Sequence, residues 1–190
     1  MLEEIERYAK EEKVPIMMKD GIEYLCKYIK ENNVKKILEI GSAIGYSAIK
    51  MALVADDIEI TTIEKDDKRY NVAVNNIKKF KLGDRINIIL GDALETEISG
   101  EYDLIFIDAS KGNNVNFFNK YNKNLKSYGI IITDNLLFHG LVRDESLIKT
   151  KNQRGIVRKI KQFVEFLDNN TEYKTEYFDV GDGIAISRRK

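Results

Sequence analysis

The chain has 190 residues, 43% of them hydrophobic and 33% charged, with a formal net charge of zero. That is enough chain for one domain, residues 1–190, with a sizeable core. The balanced charge gives no whole-molecule field that would draw nucleic acid, so any basic surface must be local. No apolar stretch approaches the ~20 residues of a membrane span, and the acidic start Met1-Leu2-Glu3-Glu4 is no signal peptide. A single cysteine, Cys26, excludes an internal disulfide and fits a reducing, cytoplasmic setting. It lies in an apolar helical segment and reads as packing. The lone histidine, His139, has no second histidine or nearby cysteine to make a zinc site with it. It reads as a surface or packing residue.

In chain order, a short charged helix precedes Pro15, the only proline. Ile22, Leu25 and Ile29 then follow helical spacing. From there strands and helices alternate. Ile37–Ile40 reads as a strand and Tyr46–Leu53 as a helix. Residues 58–63 form a strand ending at Glu64, and Tyr70, Ala73, Val74 and Ile77 mark the next helix. Ile86–Leu90 and Tyr102–Ile107 are strands. Phe117, Phe118, Tyr121 and Leu125 mark a helix, and Ile130–Thr133 is the fifth strand. Ile156, Ile160, Phe163, Val164 and Leu167 share one helical face. Two closing strands, Tyr173–Val180 and Gly183–Ser187, are joined through Gly181-Asp182. Alternation of this kind predicts an α/β fold, a doubly wound, mostly parallel seven-stranded sheet, with the late strand-turn-strand as an antiparallel edge.

Three strand ends carry the chemistry. In an open α/β sheet, ligands bind beyond the carboxyl ends of the strands. The first end runs Glu39-Ile40-Gly41-Ser42-Ala43-Ile44-Gly45. The dinucleotide pattern G-x-G-x-x-G would need glycine at Ala43 and Tyr46, and the phosphate loop would need lysine after Gly45. Both fail. E-x-G-x-x-x-G suits a cofactor without phosphates, such as S-adenosylmethionine. Glu64, about 20 residues on at the second strand end, can accept both ribose hydroxyls. Asp92-Ala93, after the third strand, is placed for the adenine edge. Taken singly, each glycine is an ordinary turn residue. The ordered set Glu39, Gly41, Gly45, Glu64 and Asp92 favours a cofactor pocket.

The other two ends are Asp108-Ala109-Ser110-Lys111 and Asp134-Asn135. Asp108, Asp134 and Asn135 are hard oxygen donors on neighbouring strand ends, half a shell for Mg²⁺. Such an ion acidifies a hydroxyl held against it. Lys111 would take the hydroxyl proton or stabilise the oxyanion. As alternatives, the aspartates would be helix caps and Lys111 a solvated charge.

Together these stretches resemble the metal-dependent O-methyltransferases that include the catechol and caffeoyl-coenzyme-A enzymes, from about Val14 to the C-terminus. A narrower resemblance, to bacterial tRNA 5-hydroxyuridine methyltransferases, rests on residues 14–17, 75–78 and 181–187. The family resemblance implies a Rossmann-like class I methyltransferase fold. It implies cofactor contacts at Met17, Glu39, Gly41, Ser42, Ser47, Glu64, Asp92, Ala93 and Asp108. It also implies metal at Asp108, Asp134 and Asn135, with Lys111 and Asp108 catalytic, and a homodimer. The family usually carries a longer N-terminal segment, and often alanine where Ser110 stands.

The narrower resemblance implies 5-methoxyuridine at the tRNA wobble position as product. The 5-hydroxyl and 4-carbonyl oxygens of 5-hydroxyuridine are neighbours, like the two oxygens of a catechol, so one metal site could grip either. RNA binding needs local positive charge. Lys151, Arg154, Arg158 and Lys161 recur at helical spacing opposite Ile156, Ile160 and Phe163, with Arg143 and Lys149 just before. Two other readings stand beside tRNA methylation: an O-methyltransferase for a small catechol-like molecule, and a cofactor-binding regulator without catalysis.

Overall fold

Five apolar runs become parallel strands because each is rich in isoleucine and leucine and bounded by polar turns. The computed structural model describes residues 1–109 and 112–190 and the backbone of Lys111. Its helices are α1 (Leu2–Glu11), α2 (Lys19–Glu31), α3 (Tyr46–Ala52), α4 (Asp67–Lys79), α5 (Asn114–Tyr121) and α6 (Lys151–Asp168). Its strands are β1 (Lys36–Ile40), β2 (Glu59–Glu64), β3 (Ile86–Leu90), β4 (Tyr102–Ile107), β5 (Leu125–Thr133), β6 (Tyr173–Phe178) and β7 (Ile184–Arg189). They form one seven-stranded sheet in the order β3-β2-β1-β4-β5-β7-β6. The first five are parallel, and β7 runs antiparallel between β5 and β6. The expected doubly wound sheet with an antiparallel C-terminal edge is the fold observed.

Each face of the sheet buries its own core. Ile37, Leu104, Phe106, Ile132 and Ile186 pack with α1, α2 and α3 through Ile5, Ile22, Leu25 and Ile49. Leu38, Ile40, Ile105, Ile107 and Ile131 pack with α5 and α6 through Phe117, Phe118, Ile160 and Phe163. Alternate residues of each strand serve opposite layers, as the two-residue period of a strand requires.

Three local expectations need correction. Leu125 was expected on a helix with Phe117, Phe118 and Tyr121. It begins β5 instead, because a 3-10 turn, Asn122–Asn124, breaks the helical phase first. The β6 strand stops at Phe178 and β7 starts at Ile184, since Gly181 (φ +59°) and Gly183 (φ +86°) are left-handed and belong to the turn. On α6 the buried face is Val157, Ile160, Phe163 and Leu167, with Ile156 and Val164 only half-buried at its margins. No described helix is long and apolar enough to cross a membrane.

Candidate active site

The strand order reverses between β1 and β4. From β1 the chain builds outward through β2 and β3, then returns to lay β4 and β5 on the other side. Such a switch point opens a crevice at the carboxyl edge. Register decides who meets there. Ile40 pairs with Ile107, and Ile107 with Thr133, so Gly41, Asp108 and Asp134 are the next residues on three adjacent strands. Strand spacing of about 4.8 Å sets their separation. The amide of Asp108 donates to the Ile40 carbonyl at 3.0 Å, and that of Asp134 to the Ile107 carbonyl at 3.3 Å. The three predicted strand ends therefore converge.

The glycine loop is tight. Gly41 has φ +96°, and a Cβ there would lie 2.8 Å from the Asp108 carbonyl oxygen. Only glycine lets β1 and β4 close to this distance at that φ. Gly45 (φ +81°) precedes α3, with Ala73 3.3 Å from its would-be Cβ. Between them Ala43 is also left-handed, at φ +45°. Glu64 holds it there, accepting the Ala43 amide at 2.8 Å on one carboxylate oxygen and the Asp66 amide at 2.9 Å on the other. Asn76 anchors the next residue, donating from Nδ2 to the Ile44 carbonyl at 2.9 Å. This role of Asn76 lay beyond sequence reasoning, because the contact spans 32 residues.

Glu39 is fully buried and accepts from Ser47 Oγ and Thr62 Oγ1, both at 2.5 Å. It braces the loop from below. Burial pushes its carboxyl up to about 7; the two hydroxyl donors oppose that, and the charges of Asp108 and Glu64 add to it. Met17 is buried against Gly21 at the start of α2. Asp92 closes a turn by accepting the Leu94 amide at 2.8 Å, and the Ala93 carbonyl accepts from Tyr121 Oη at 2.6 Å. A lining for a polar cofactor without phosphates fits these residues. Ser42 Oγ is buried in the loop with no hydrogen-bond partner among the described residues, a group that a polar ligand would satisfy.

The candidate metal residues follow β4 and β5 at the carboxyl edge of the sheet. Among the described residues no three His, Cys, Asp or Glu side chains gather as a metal cluster. The candidate triad has two carboxylates, Asp108 and Asp134, and one amide, Asn135. Asp134 is buried, while Asp108 and Asn135 are half-buried. Two carboxylates and an amide oxygen form a donor set that fits a hard cation such as Mg²⁺. Asn135 is left-handed (φ +65°), and its Nδ2 donates to Asp182 Oδ2 at 3.3 Å. The expected catalytic side chain, Lys111, lies outside the described residues. His139 has an exposed ring, 73% accessible, whose backbone amide donates to Asp182 Oδ1 at 2.6 Å. Cys26 is half-buried, and burial pushes its thiol up to about 11, which suits packing and not nucleophilic chemistry.

The basic residues are exposed along the first eleven residues of α6 and in the loop before it. Arg143 pairs with Asp179 at 2.9 Å, and Lys161 pairs with Glu145. Lys149, Lys151, Arg154 and Arg158 make no ion pair among the described residues. The α6 helix packs against the backbone of the 3-10 turn Lys111–Asn113 that follows Asp108.

Known proteins share this fold. A candidate caffeoyl-CoA O-methyltransferase from Staphylococcus aureus superposes with a TM-score of 0.94 at 38% identity, over 100% of this chain and 92% of that one. The O-methyltransferase of Bacillus cereus, solved in complex with SAH, gives 0.82 at 26% identity, over 100% and 90% of the two chains. Caffeoyl-CoA O-methyltransferase of Stellaria longipes is 35% identical over 167 residues, covering 82% of this chain and 68% of that protein. Residues 1–190 match the O-methyltransferase family over their whole length, and the chain belongs to that family as an S-adenosylmethionine-dependent O-methyltransferase.

Proposed function

We propose that the protein transfers the methyl group of S-adenosylmethionine to the 5-hydroxyl of 5-hydroxyuridine at the tRNA wobble position, with Mg²⁺, giving 5-methoxyuridine. The observation that carries the choice of acceptor is the basic run Lys149, Lys151, Arg154 and Arg158. It is exposed and free of ion pairs among the described residues, and Lys149, Lys151 and Arg154 lie at the amino end of α6. The first turn of that helix holds no acidic residue, and its cap is a neutral Thr150–Gln153 box. Cations at a helix amino terminus oppose the macrodipole. A polyanion bound there relieves the conflict and meets both the helix end and the side chains.

In this reading Gly41, Ser42, Ala43 and Glu64 bind and orient the cofactor, with the carboxylate of Glu64 keeping lone pairs for ribose hydroxyls. Asp108, Asp134 and Asn135 would hold the cation beside the uridine, with its 5-hydroxyl toward the methyl donor. A bound divalent cation supplies Lewis acidity that lowers the pKa of the hydroxyl. Lys111 takes the hydroxyl proton or steadies the resulting negative charge. The C–O bond forms in line as the C–S bond of the sulfonium breaks, leaving S-adenosylhomocysteine.

The test is methyl transfer from labelled S-adenosylmethionine to tRNA bearing 5-hydroxyuridine, with Mg²⁺ and with chelator, analysed as nucleosides by mass spectrometry. Chelator-sensitive 5-methoxyuridine is the expected product. The names of the plant relatives favour a second acceptor, a small catechol-like molecule. Activity on such a molecule with none on tRNA would select that reading and leave the basic run as ordinary surface.

A further inference from the structure

The turn Gly181-Asp182-Gly183 between β6 and β7 is packed more tightly than a surface turn needs. A Cβ at Gly183 would lie 2.6 Å from Leu137 Cγ, and one at Gly181 would lie 3.0 Å from the Gly21 Cα. The Leu136 amide donates to the Gly183 carbonyl at 3.0 Å and the Leu137 amide to the Asp182 carbonyl at 2.8 Å. On the other side the Gly181 amide donates to Asp20 Oδ2 at 3.1 Å. The turn is thus clamped between the start of α2 and the segment after β5. At its centre Asp182 is 4% exposed.

A carboxylate only accepts hydrogen bonds, and both oxygens of Asp182 are engaged by donors. Oδ1 takes the His139 amide at 2.6 Å, and Oδ2 takes Nδ2 of Asn135 at 3.3 Å. The amide of Asn135 has nearly the same shape with its oxygen and nitrogen exchanged, yet only the oxygen can serve a hard cation. With Nδ2 held by a fixed acceptor, Oδ1 is left on the other side of the amide. We propose that Asp182 is a positioning residue, which fixes the amide of Asn135 so that its oxygen and not its nitrogen is offered to the cation. The inference rests on the metal reading of Asp108, Asp134 and Asn135. It adds an outer partner of the kind that orients metal ligands elsewhere.

Binding of Mn²⁺ to the full-length protein, followed by electron paramagnetic resonance, tests it without turnover. Asp182→Asn leaves only one acceptor for two donors. Either the His139 amide loses its partner or the amide at 135 turns its nitrogen toward the cation. Mn²⁺ affinity should fall about tenfold or more, while S-adenosylhomocysteine binding stays within about twofold. Asn135→Asp alone sets two carboxylates against each other and should also weaken Mn²⁺ binding. The exchange Asn135→Asp with Asp182→Asn restores every donor and acceptor at unchanged total charge, and should return the affinity to within about threefold of wild type.

Wild-type affinity in Asp182→Asn, or an exchange variant no better than Asp182→Asn, would overturn the inference. So would tighter binding by Asn135→Asp alone, the result of a purely electrostatic effect. Should Asp182→Asn fail to fold, the exchange variant and Asn135→Asp decide the matter by the same criteria. A wild type that binds no Mn²⁺ removes the metal reading itself, an outcome distinct from a wild type and an Asp182→Asn variant that bind alike.

Discussion

On the β1–β2 side of the crevice, Glu39, Ser42, Ser47, Thr62 and Glu64 are each at most 7% exposed, and Glu39 and Glu64 bond the neighbouring elements. On the β5–β7 side, the chain after Asp134 is mostly half-buried or exposed, and left-handed residues Asn135, Phe138, His139 and Gly140 shape it. The first wall is a buried polar lattice, suited to one ligand of fixed shape. The second is more open, with Asp134 and Asp182 as its buried carboxylates among the described residues. In the proposed function a cofactor common to many acceptors would take the first wall, and acceptor choice the second, where loops vary at little cost to the core.

Asp134→Asn should lower methyl transfer by on the order of a thousandfold, the scale of losing a contact to the reacting centre. Cofactor affinity, measured by calorimetry, should barely move. A parallel loss of cofactor binding would mean that the walls are not separable. Gly41→Ala strikes the other wall. A side chain at φ +96°, 2.8 Å from the Asp108 carbonyl, must part β1 from β4. The left-handed strain alone is roughly 1–2 kcal/mol. A fall in melting temperature of about 5 °C or more, with cofactor affinity down at least tenfold, is expected.

Glu39 gives the buried lattice a pH signature. Its carboxyl sits at about 7 in the folded chain, against an ordinary value of 4.5. Between those values the native state holds a proton that the unfolded chain has released. Stability therefore falls as pH rises through this window and levels off above it. Glu39→Gln should flatten that slope and, at pH 8, stabilise the ligand-free protein by on the order of 1–3 kcal/mol. Melting curves from pH 5 to 8 read this directly, and an unchanged slope would assign it elsewhere.

On the open wall, Arg154→Glu with Arg158→Glu should raise KM for tRNA roughly tenfold and reduce its salt dependence, leaving cofactor binding intact. Equal KM values would detach the basic run from the acceptor. The smallest effect is expected at Ser42. Its buried hydroxyl has no partner among the described residues, so Ser42→Ala should stabilise the ligand-free protein by about 1 kcal/mol while weakening cofactor binding. Tighter cofactor binding in this variant would remove Ser42 from the pocket.

Apolar period and the spacing of glycines were enough to read the alternating elements, the parallel sheet and the three strand ends, because strand and helix periods are local properties of the chain. Gly41, Asp108 and the Asp134-Asn135 pair were legible for the same reason, since each follows an apolar run, while Gly45 was legible by its spacing from Gly41. Leu125 was misread because helical spacing continues across the 3-10 turn at Asn122–Asn124 as if nothing broke it. The tertiary structure alone decided that Asn76 ties down Ile44, that Glu64 clamps Ala43, and that Asp182 meets Asn135 across 47 residues. Those contacts depend on strand order and register, which bring distant residues within hydrogen-bond range and leave no mark in local sequence pattern.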